Sequence, residues 1–83
     1  MKSLRLDELP LRRNATVSEI DWDEIGLAES KRLREFGFDE GVTIMKLHTG
    51  PIGRDPIACR VGRMTVALRR RIAASIRVAE ATL

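Results

Sequence analysis

The sequence has few of the residues from which metal centres and covalent catalytic sites are built. Its 83 residues contain one cysteine, one histidine and no tyrosine. A single cysteine excludes an internal disulfide and any site made of several thiolates. A lone histidine leaves a zinc site short of the roughly four ligands that it needs. We therefore expect no resident metal and no cofactor, and the sparse cysteine fits a reducing compartment.

Long apolar runs and a strong charge of one sign are missing as well. No stretch reaches the roughly 18 apolar residues of a spanning helix, and the N-terminal segment has no apolar signal-peptide core. The net charge is only +3, with 33% charged residues and 4% aromatics. This balance predicts a cytoplasmic globular chain, with 1–83 forming a single domain whose core spans roughly 9–79.

Glycine marks the end of one predicted helix. The stretch from Leu27 to Phe36 places Leu33 and Phe36 on one helical face, and Gly37 stands where a left-handed closing residue is needed. Before this helix, alternation from Ala15 to Asp21 predicts a weak strand. The segment through about Leu6 has the character of a frayed start.

The second half of the chain has the pattern of short strands. A β-rich run from Val42 to His48 is followed by a turn-rich loop, Gly50–Pro56. Two further runs flank Gly62-Arg63, which predicts a tight hairpin. In that register Val61 faces Met64, Cys59 faces Val66, and Ile57 faces Leu68.

A single helical turn after Arg69 and a last short strand, Ser75–Val78, complete the pattern. Five short strands around one core would leave exposed edges unless the sheet closes on itself. The predicted fold is therefore mainly β: a small SH3-like five-stranded barrel with one inserted short α-helix.

Three motifs resemble the FeoA family. Arg32-Leu33-x-x-Phe36-Gly37-Phe38-x-x-Gly41 is similar to its "RL.ELG...G" pattern. Pro51–Ile57 is similar to its "P.G.DPI" loop, and Val66–Val78 to its "...LR...A..I.V" ending. The motifs occur in the family's order and cover roughly 9–78.

The resemblance implies a function as well as a fold. FeoA proteins adopt an SH3-like barrel and assist FeoB, a bacterial membrane ferrous-iron transporter with a cytoplasmic GTP-binding domain. For this chain, the resemblance implies a non-enzymatic accessory protein that binds FeoB and supports Fe²⁺ uptake. Such a protein would contact the membrane only through FeoB. A homodimer and a metal shared between subunits remain open.

The residues themselves argue against chemistry within one chain. Cys59 falls on the predicted core face, where a thiol behaves as a small hydrophobe with a raised pKa. His48 stands alone at a strand end and is expected at the surface. No nucleophile–base arrangement and no phosphate-binding glycine loop is present. We therefore expect no enzymatic activity.

Two surface features remain open to interpretation. The cluster Arg69–Arg71, with further arginines nearby, fits a solvated face, an acidic protein or lipid surface, or, with few aromatics for stacking, a nucleic acid. On the outer face, Leu47 is expected opposite Ala58, and Ala58 opposite Ala67. This apolar stripe is either a contact site or is covered by the helix as a second small core, and helix and stripe together would form a groove.

The sequence-based hypothesis is a partner-binding surface on the helix, the loop and the arginine cluster. Its candidate residues are Leu33, Phe36, Leu47, Ile52, Arg54 and Arg69. Two alternatives are a free-standing relative of the SH3-like C-terminal domain of metal-dependent repressors and a small nucleic-acid-binding barrel. No nucleic acid is expected, because stacking platforms are scarce.

Overall fold

Six strands, three short α-helices and one turn of 3-10 helix (Leu6–Glu8) are formed by residues 3–80, which are the residues that the computed structural model describes. The strands are β1 (Ser3–Arg5), β2 (Asn14–Ile20), β3 (Thr43–Ile52), β4 (Asp55–Val61), β5 (Met64–Leu68) and β6 (Ile76–Glu80). The helices are α1 (Trp22–Ile25), α2 (Leu27–Glu35) and α3 (Arg70–Ala73). All strands pair antiparallel in one sheet, in the order β1-β6-β2-β3-β4-β5.

The mainly β architecture predicted from the sequence is confirmed, with two differences. The sheet has six strands instead of five, because the first residues add β1. The barrel is not closed by hydrogen bonds: β1 and β5 are the two ends of the strand order, and no ladder joins them within 3–80. The sheet therefore keeps two edges, and β5 is one of them.

The N-terminal segment is part of the core. Leu4 of β1 pairs with Val78 of β6, and Leu6 is fully buried. The Lys46 ammonium, itself almost fully buried on β3, donates to the backbone carbonyl of Asp7 at 2.9 Å. The prediction of a frayed start is therefore wrong from Ser3 onward, while Met1 and Lys2 lie outside the described residues.

A bulge in β2 changes which side chains face inward. Ala15 and Val17 are buried as the alternation predicts, but the pairing with β6 shifts between Val17 and Glu19. Because of that shift, Ile20 joins Ala15 and Val17 in the core and Glu19 faces solvent. Before this strand, Arg12 adopts the left-handed conformation, with a φ of 63°.

Helix α2 ends in a Schellman motif, as the sequence predicts. Gly37 has a φ of 96°, and its N–H donates to the Arg34 carbonyl at 3.0 Å. The N–H of Phe38 donates to the Leu33 carbonyl at 3.0 Å, and the Phe38 ring is buried. These bonds satisfy the last carbonyls of the helix and direct the chain from α2 into the core.

The β4–β5 hairpin has the predicted register. Val61 pairs with Met64, Cys59 with Val66, and Ile57 with Leu68. All except Met64, at the hairpin end, are buried.

The pairing of β3 with β4 differs from the prediction by one residue. A bulge at Leu47 places His48, and not Leu47, opposite Ala58. The predicted loop over Gly50–Pro56 is also too long. Strand β3 continues to Ile52 and β4 begins at Asp55, so that only Gly53 and Arg54, both with positive φ, form the turn.

Candidate functional site

A surface cleft of about 430 Å³ lies between α2, the end of β5 and α3. Its lining comes from four elements of the fold: Glu29, Arg32, Leu33, Phe36, Pro56, Ala67, Leu68, Arg69, Arg71 and Ile72. We call this cleft the α2–β5 groove. It is open to solvent and holds both apolar and cationic side chains.

The base of the groove is the edge of the hydrophobic core. Leu33, Leu68 and Ile72 belong to the buried cluster, with at most 4% of their surface exposed. Phe36 is half-buried on the helix side, and Ala67 is exposed on the strand side. The core therefore sets the distance between the two walls, since core side chains are closely packed and yield little.

The rim of the groove is cationic. Arg32, Arg69 and Arg71 are exposed, and Glu29 is the one acidic residue among the lining residues. The Arg32 guanidinium lies 5.5 Å from the centre of the Phe36 ring, and Arg69 Nη1 lies 3.8 Å from Asp55 Oδ2. Such loose surface contacts leave the guanidinium groups available to a ligand. The rim favours an acidic partner.

The β3–β4 turn is fastened to the same end of the molecule. The backbone N–H of Arg70 donates to Asp55 Oδ1, and Arg70 Nη1 donates to the Gly53 carbonyl, both at 3.0 Å. These bonds hold the turn against the start of α3. Ile52, which is 83% exposed, and Arg54 are thereby presented beside the groove.

The structure brings three of the six predicted binding residues into the groove. Phe36 forms a wall and Arg69 the rim, while Leu33 is only 1% exposed and supports the base from inside the core. Leu33 offers no free surface, because helix α2 turns it toward the core. Ile52, the last residue of β3, and Arg54, in the β3–β4 turn, are not among the lining residues. Leu47 is half-buried in the β3 bulge, outside the groove.

Seven of the ten lining residues were not among the predicted binding residues, and four of these seven belong to patterns that the sequence did show. Arg32 and Pro56 stand within the motifs, Arg71 within the arginine cluster, and Ala67 in the apolar stripe. Their convergence depends on how α2 lies along β5, which no local pattern specifies. The predicted stripe is not a continuous surface, because Ala67 lines the groove, Ala58 is buried and Leu47 lies outside the groove. Leu33 packs into the single core cluster instead of covering Ala58 and Ala67 as a second core.

The metal-ligand candidates do not meet. His48 is exposed on β3, whereas Cys59 is fully buried on β4. Burial raises the pKa of the Cys59 thiol to about 12, so that it stays protonated at neutral pH. Within 3–80, no group of three or more His, Cys, Asp or Glu residues is arranged to hold a metal ion.

The buried thiol predicts a loss of stability at alkaline pH. In the unfolded chain Cys59 ionises from about pH 9, while the folded state keeps its proton to about pH 12. The unfolded state therefore binds fewer protons, and the free energy of unfolding falls by about 1.4 kcal/mol per pH unit in this window. Urea denaturation of the wild type and of Cys59→Ala from pH 8 to 11 measures this. An equally steep decline in the variant would contradict the assignment.

No helix within the described part of the chain is long and apolar enough to span a membrane.

Comparisons with known proteins identify relatives of the same fold. The crystal structure of an iron uptake regulatory protein, FeoA, matches with a TM-score of 0.78 at 25% identity, covering 98% of this chain and 100% of that one. The solution structure of Chlorobium tepidum FeoA matches with a TM-score of 0.83 at 28% identity, covering 95% and 71%. No curated protein matches the sequence.

A third structure is more similar in sequence. Stenotrophomonas maltophilia FeoA, solved in complex with zinc, is 35% identical with a TM-score of 0.75, covering 90% of this chain and 88% of that one. It is described as a prokaryotic SH3 domain protein and a candidate ferrous iron transport activating factor. The predicted SH3-like fold is thereby confirmed.

Metal-dependent repressors share only the fold. A manganese-dependent transcriptional repressor matches at 16% identity with a TM-score of 0.81, covering 95% of this chain and 42% of that one. The family model of the FeoA domain matches residues 4–80, almost the whole described chain. Together with the motifs at Arg32–Gly41 and Pro51–Ile57, this match shows that the chain belongs to the FeoA family.

Proposed function

We propose that this chain is a cytoplasmic, non-enzymatic accessory protein that binds the GTP-binding domain of a FeoB-type ferrous-iron transporter through the α2–β5 groove. Membership of the FeoA family supports the class of function. The observation that carries the proposal is the groove itself, in which an apolar base meets an arginine rim. This is the pattern of a protein-binding site, with apolar contact at the centre and charge at the edge.

The rigidity of the groove suits a regulatory role. Its base is part of the core and its turn is held by Arg70, so that the binding surface keeps one shape. A rigid module shifts the conformational equilibrium of its partner when it binds one state more tightly than the other. The iron and the nucleotide then belong to the transporter, and this chain supplies recognition.

A matched pair of charge reversals on helix α2 tests the proposal. Arg32 lines the groove, whereas its neighbour Lys31 faces the opposite side, toward Trp22. Both are exposed, and both substitutions change the net charge equally. Against the FeoB cytoplasmic domain, Arg32→Glu weakens binding by about tenfold, because a like charge then faces the acidic partner. Lys31→Glu binds as the wild type does.

Isothermal titration calorimetry provides the measurement, with the transporter domain in its nucleotide-free, GDP-bound and GTP-analogue-bound states. Equal losses from both variants would mean that the net charge, and not the groove, governs association. Absence of wild-type binding in every nucleotide state would overturn the proposed function.

A further inference from the structure

Strand β5 presents an open edge. It stands at the end of the strand order, and its other side pairs with β4 along its whole length. Within 3–80, no hydrogen bond from backbone or side chain reaches this outer edge. Unpaired N–H and C=O groups in a row form a template for another strand.

The hairpin geometry identifies the backbone groups on that edge. In a hairpin with a two-residue turn, the pair that flanks the turn is hydrogen-bonded, and bonded pairs then alternate with non-bonded ones. The bonded partners of β4 are therefore Met64, Val66 and Leu68. Thr65 and Ala67 direct their N–H and C=O groups away from β4. Two donors and two acceptors are thus available on the free edge.

The other edge of the sheet is protected, and β5 is not. Strand β1 has three residues, and the N–H of Arg5 already donates to Glu8 Oε1 at 2.9 Å. Strand β5 has five residues, none of them charged. Charged residues and short length are the usual protection of an edge strand. Their absence from β5 marks it as the edge suited to pairing.

The groove lies between helix α2 and the end of this strand, where Ala67 and Leu68 contribute to its lining. At one end, a Cβ on Gly37 would lie 3.8 Å from Val61 Cγ1, next to the start of β5. At the other end, Arg32 shares the groove with Ala67 and Arg69. The side chains of Ala67 and Leu68 point to opposite faces of the sheet, yet both line the groove. This is expected if the groove passes over the free edge of β5 and is therefore open to both faces. Addition of a peptide strand to an exposed sheet edge is a known mode of peptide recognition.

From this geometry we propose that β5 takes up an extended acidic segment of the partner as an additional strand, laid in the α2–β5 groove. The inference rests on the proposed function and specifies its mode of binding and the chemistry of the partner segment. Main-chain bonds to Thr65 and Ala67 supply the pairing. Arg32, Arg69 and Arg71 receive the acidic side chains.

Charge disfavours a second copy of this chain as the occupant in the symmetric register. An antiparallel pairing of two β5 strands centred on Val66 would set Arg63 of one copy opposite Arg69 of the other. Like charges directly opposite each other on paired strands are destabilising. The same arginines favour an acidic segment. The charge of such a segment is complementary to the groove, whereas the charge of a second copy is not.

The test uses the full ¹⁵N-labelled chain and a defined probe, a nine-residue peptide of alternating valine and glutamate, with its valine–lysine counterpart as the control. The acidic peptide shifts the amide signals of Thr65 and Ala67 and slows their exchange with solvent by about tenfold, because bonded amides are protected. The β1 amide of Leu4 does not respond, and the lysine peptide causes neither effect.

A proline substitution isolates the backbone contribution. Ala67→Pro removes an N–H that faces solvent in the free protein, so the hairpin is retained, since proline is tolerated on edge strands. The affinity of Ala67→Pro for the acidic peptide falls by about tenfold, because the hydrogen bond from the N–H of residue 67 is lost and an acceptor on the peptide is left unpaired. Ala67→Ser keeps the N–H and therefore loses less affinity than Ala67→Pro does. If the proline variant unfolds, the amide exchange of the wild type still decides the question.

The outcomes separate this inference from the proposed function. Binding of the FeoB domain with unchanged exchange at Thr65 and Ala67 would overturn strand addition. Binding of the acidic peptide with protection of both amides, but no binding of the FeoB domain, would support strand addition and overturn the choice of partner.

Discussion

Leu33→Glu abolishes the cooperative fold. Leu33 is 1% exposed and lies in the core cluster, so the substitution removes buried apolar surface and places a carboxylate where it has no partner. Loss of a buried leucine costs about 2–5 kcal/mol and burial of an unpaired charge costs more, which together approach the total stability of a small domain. Far-UV circular dichroism and thermal unfolding measure the effect.

The same substitution elsewhere on the helix is the control. Leu27 begins α2 and is 91% exposed, so Leu27→Glu changes stability by about 0.5 kcal/mol or less. A Leu33→Glu protein with a wild-type melting temperature would contradict the packing described for α2. Because unfolding removes binding as well, loss of partner binding in Leu33→Glu carries no information about the groove.

Gly50→Ala lowers the free energy of unfolding by about 3 kcal/mol, since a new methyl group is forced against the opposite strand. A Cβ at Gly50 would collide with the backbone carbonyl of Asp55, on the neighbouring strand β4. Backbone in a paired sheet has little freedom to move aside. The carboxylate of Asp55 also binds the start of α3, so the displacement spreads to the groove. In a domain of this size the melting temperature falls by roughly 12–24 °C.

Gly53→Ala in the adjacent turn is the matched comparison. Gly53 has a φ of 63° with no atom near the added Cβ, so only the left-handed conformation is strained, at about 1 kcal/mol. Gly50 should therefore be the more sensitive position. Equal losses at the two glycines, or a larger loss at Gly53, would show that the close approach of β3 and β4 is not a constraint on this hairpin.

Local patterns predicted the elements whose cause is local. Gly37 closes α2 because its own backbone takes the left-handed conformation, and the Gly62-Arg63 turn sets the register of β4 with β5. The bulges at Ser18 and Leu47 had no such signal. Each is an extra residue accommodated between two strands, and its position depends on the pairing partner as much as on the bulged strand.

The N-terminal strand and the groove could not be predicted from the sequence for a related reason. The Lys46 ammonium reaches the carbonyl of Asp7, next to the buried Leu6, only when β3 and the first residues meet in the folded chain. Leu33 and Phe36 are both apolar and share a helical face, yet the core buries one fully and leaves the other half-exposed. Sequence spacing identified the correct helix, but tertiary contacts determine which of its apolar side chains packs in the core and which remains accessible for binding.

The central claim, that the α2–β5 groove is the partner surface, is tested most directly by photo-crosslinking. Because Cys59 is buried and protonated, a single introduced cysteine takes up a benzophenone maleimide selectively. Arg71→Cys places the label on the groove, and Lys31→Cys places it on the other side of α2. With the FeoB cytoplasmic domain, we expect a crosslink from position 71 and none from position 31. A crosslink from position 31 alone, or equal yields from both, would contradict the claim.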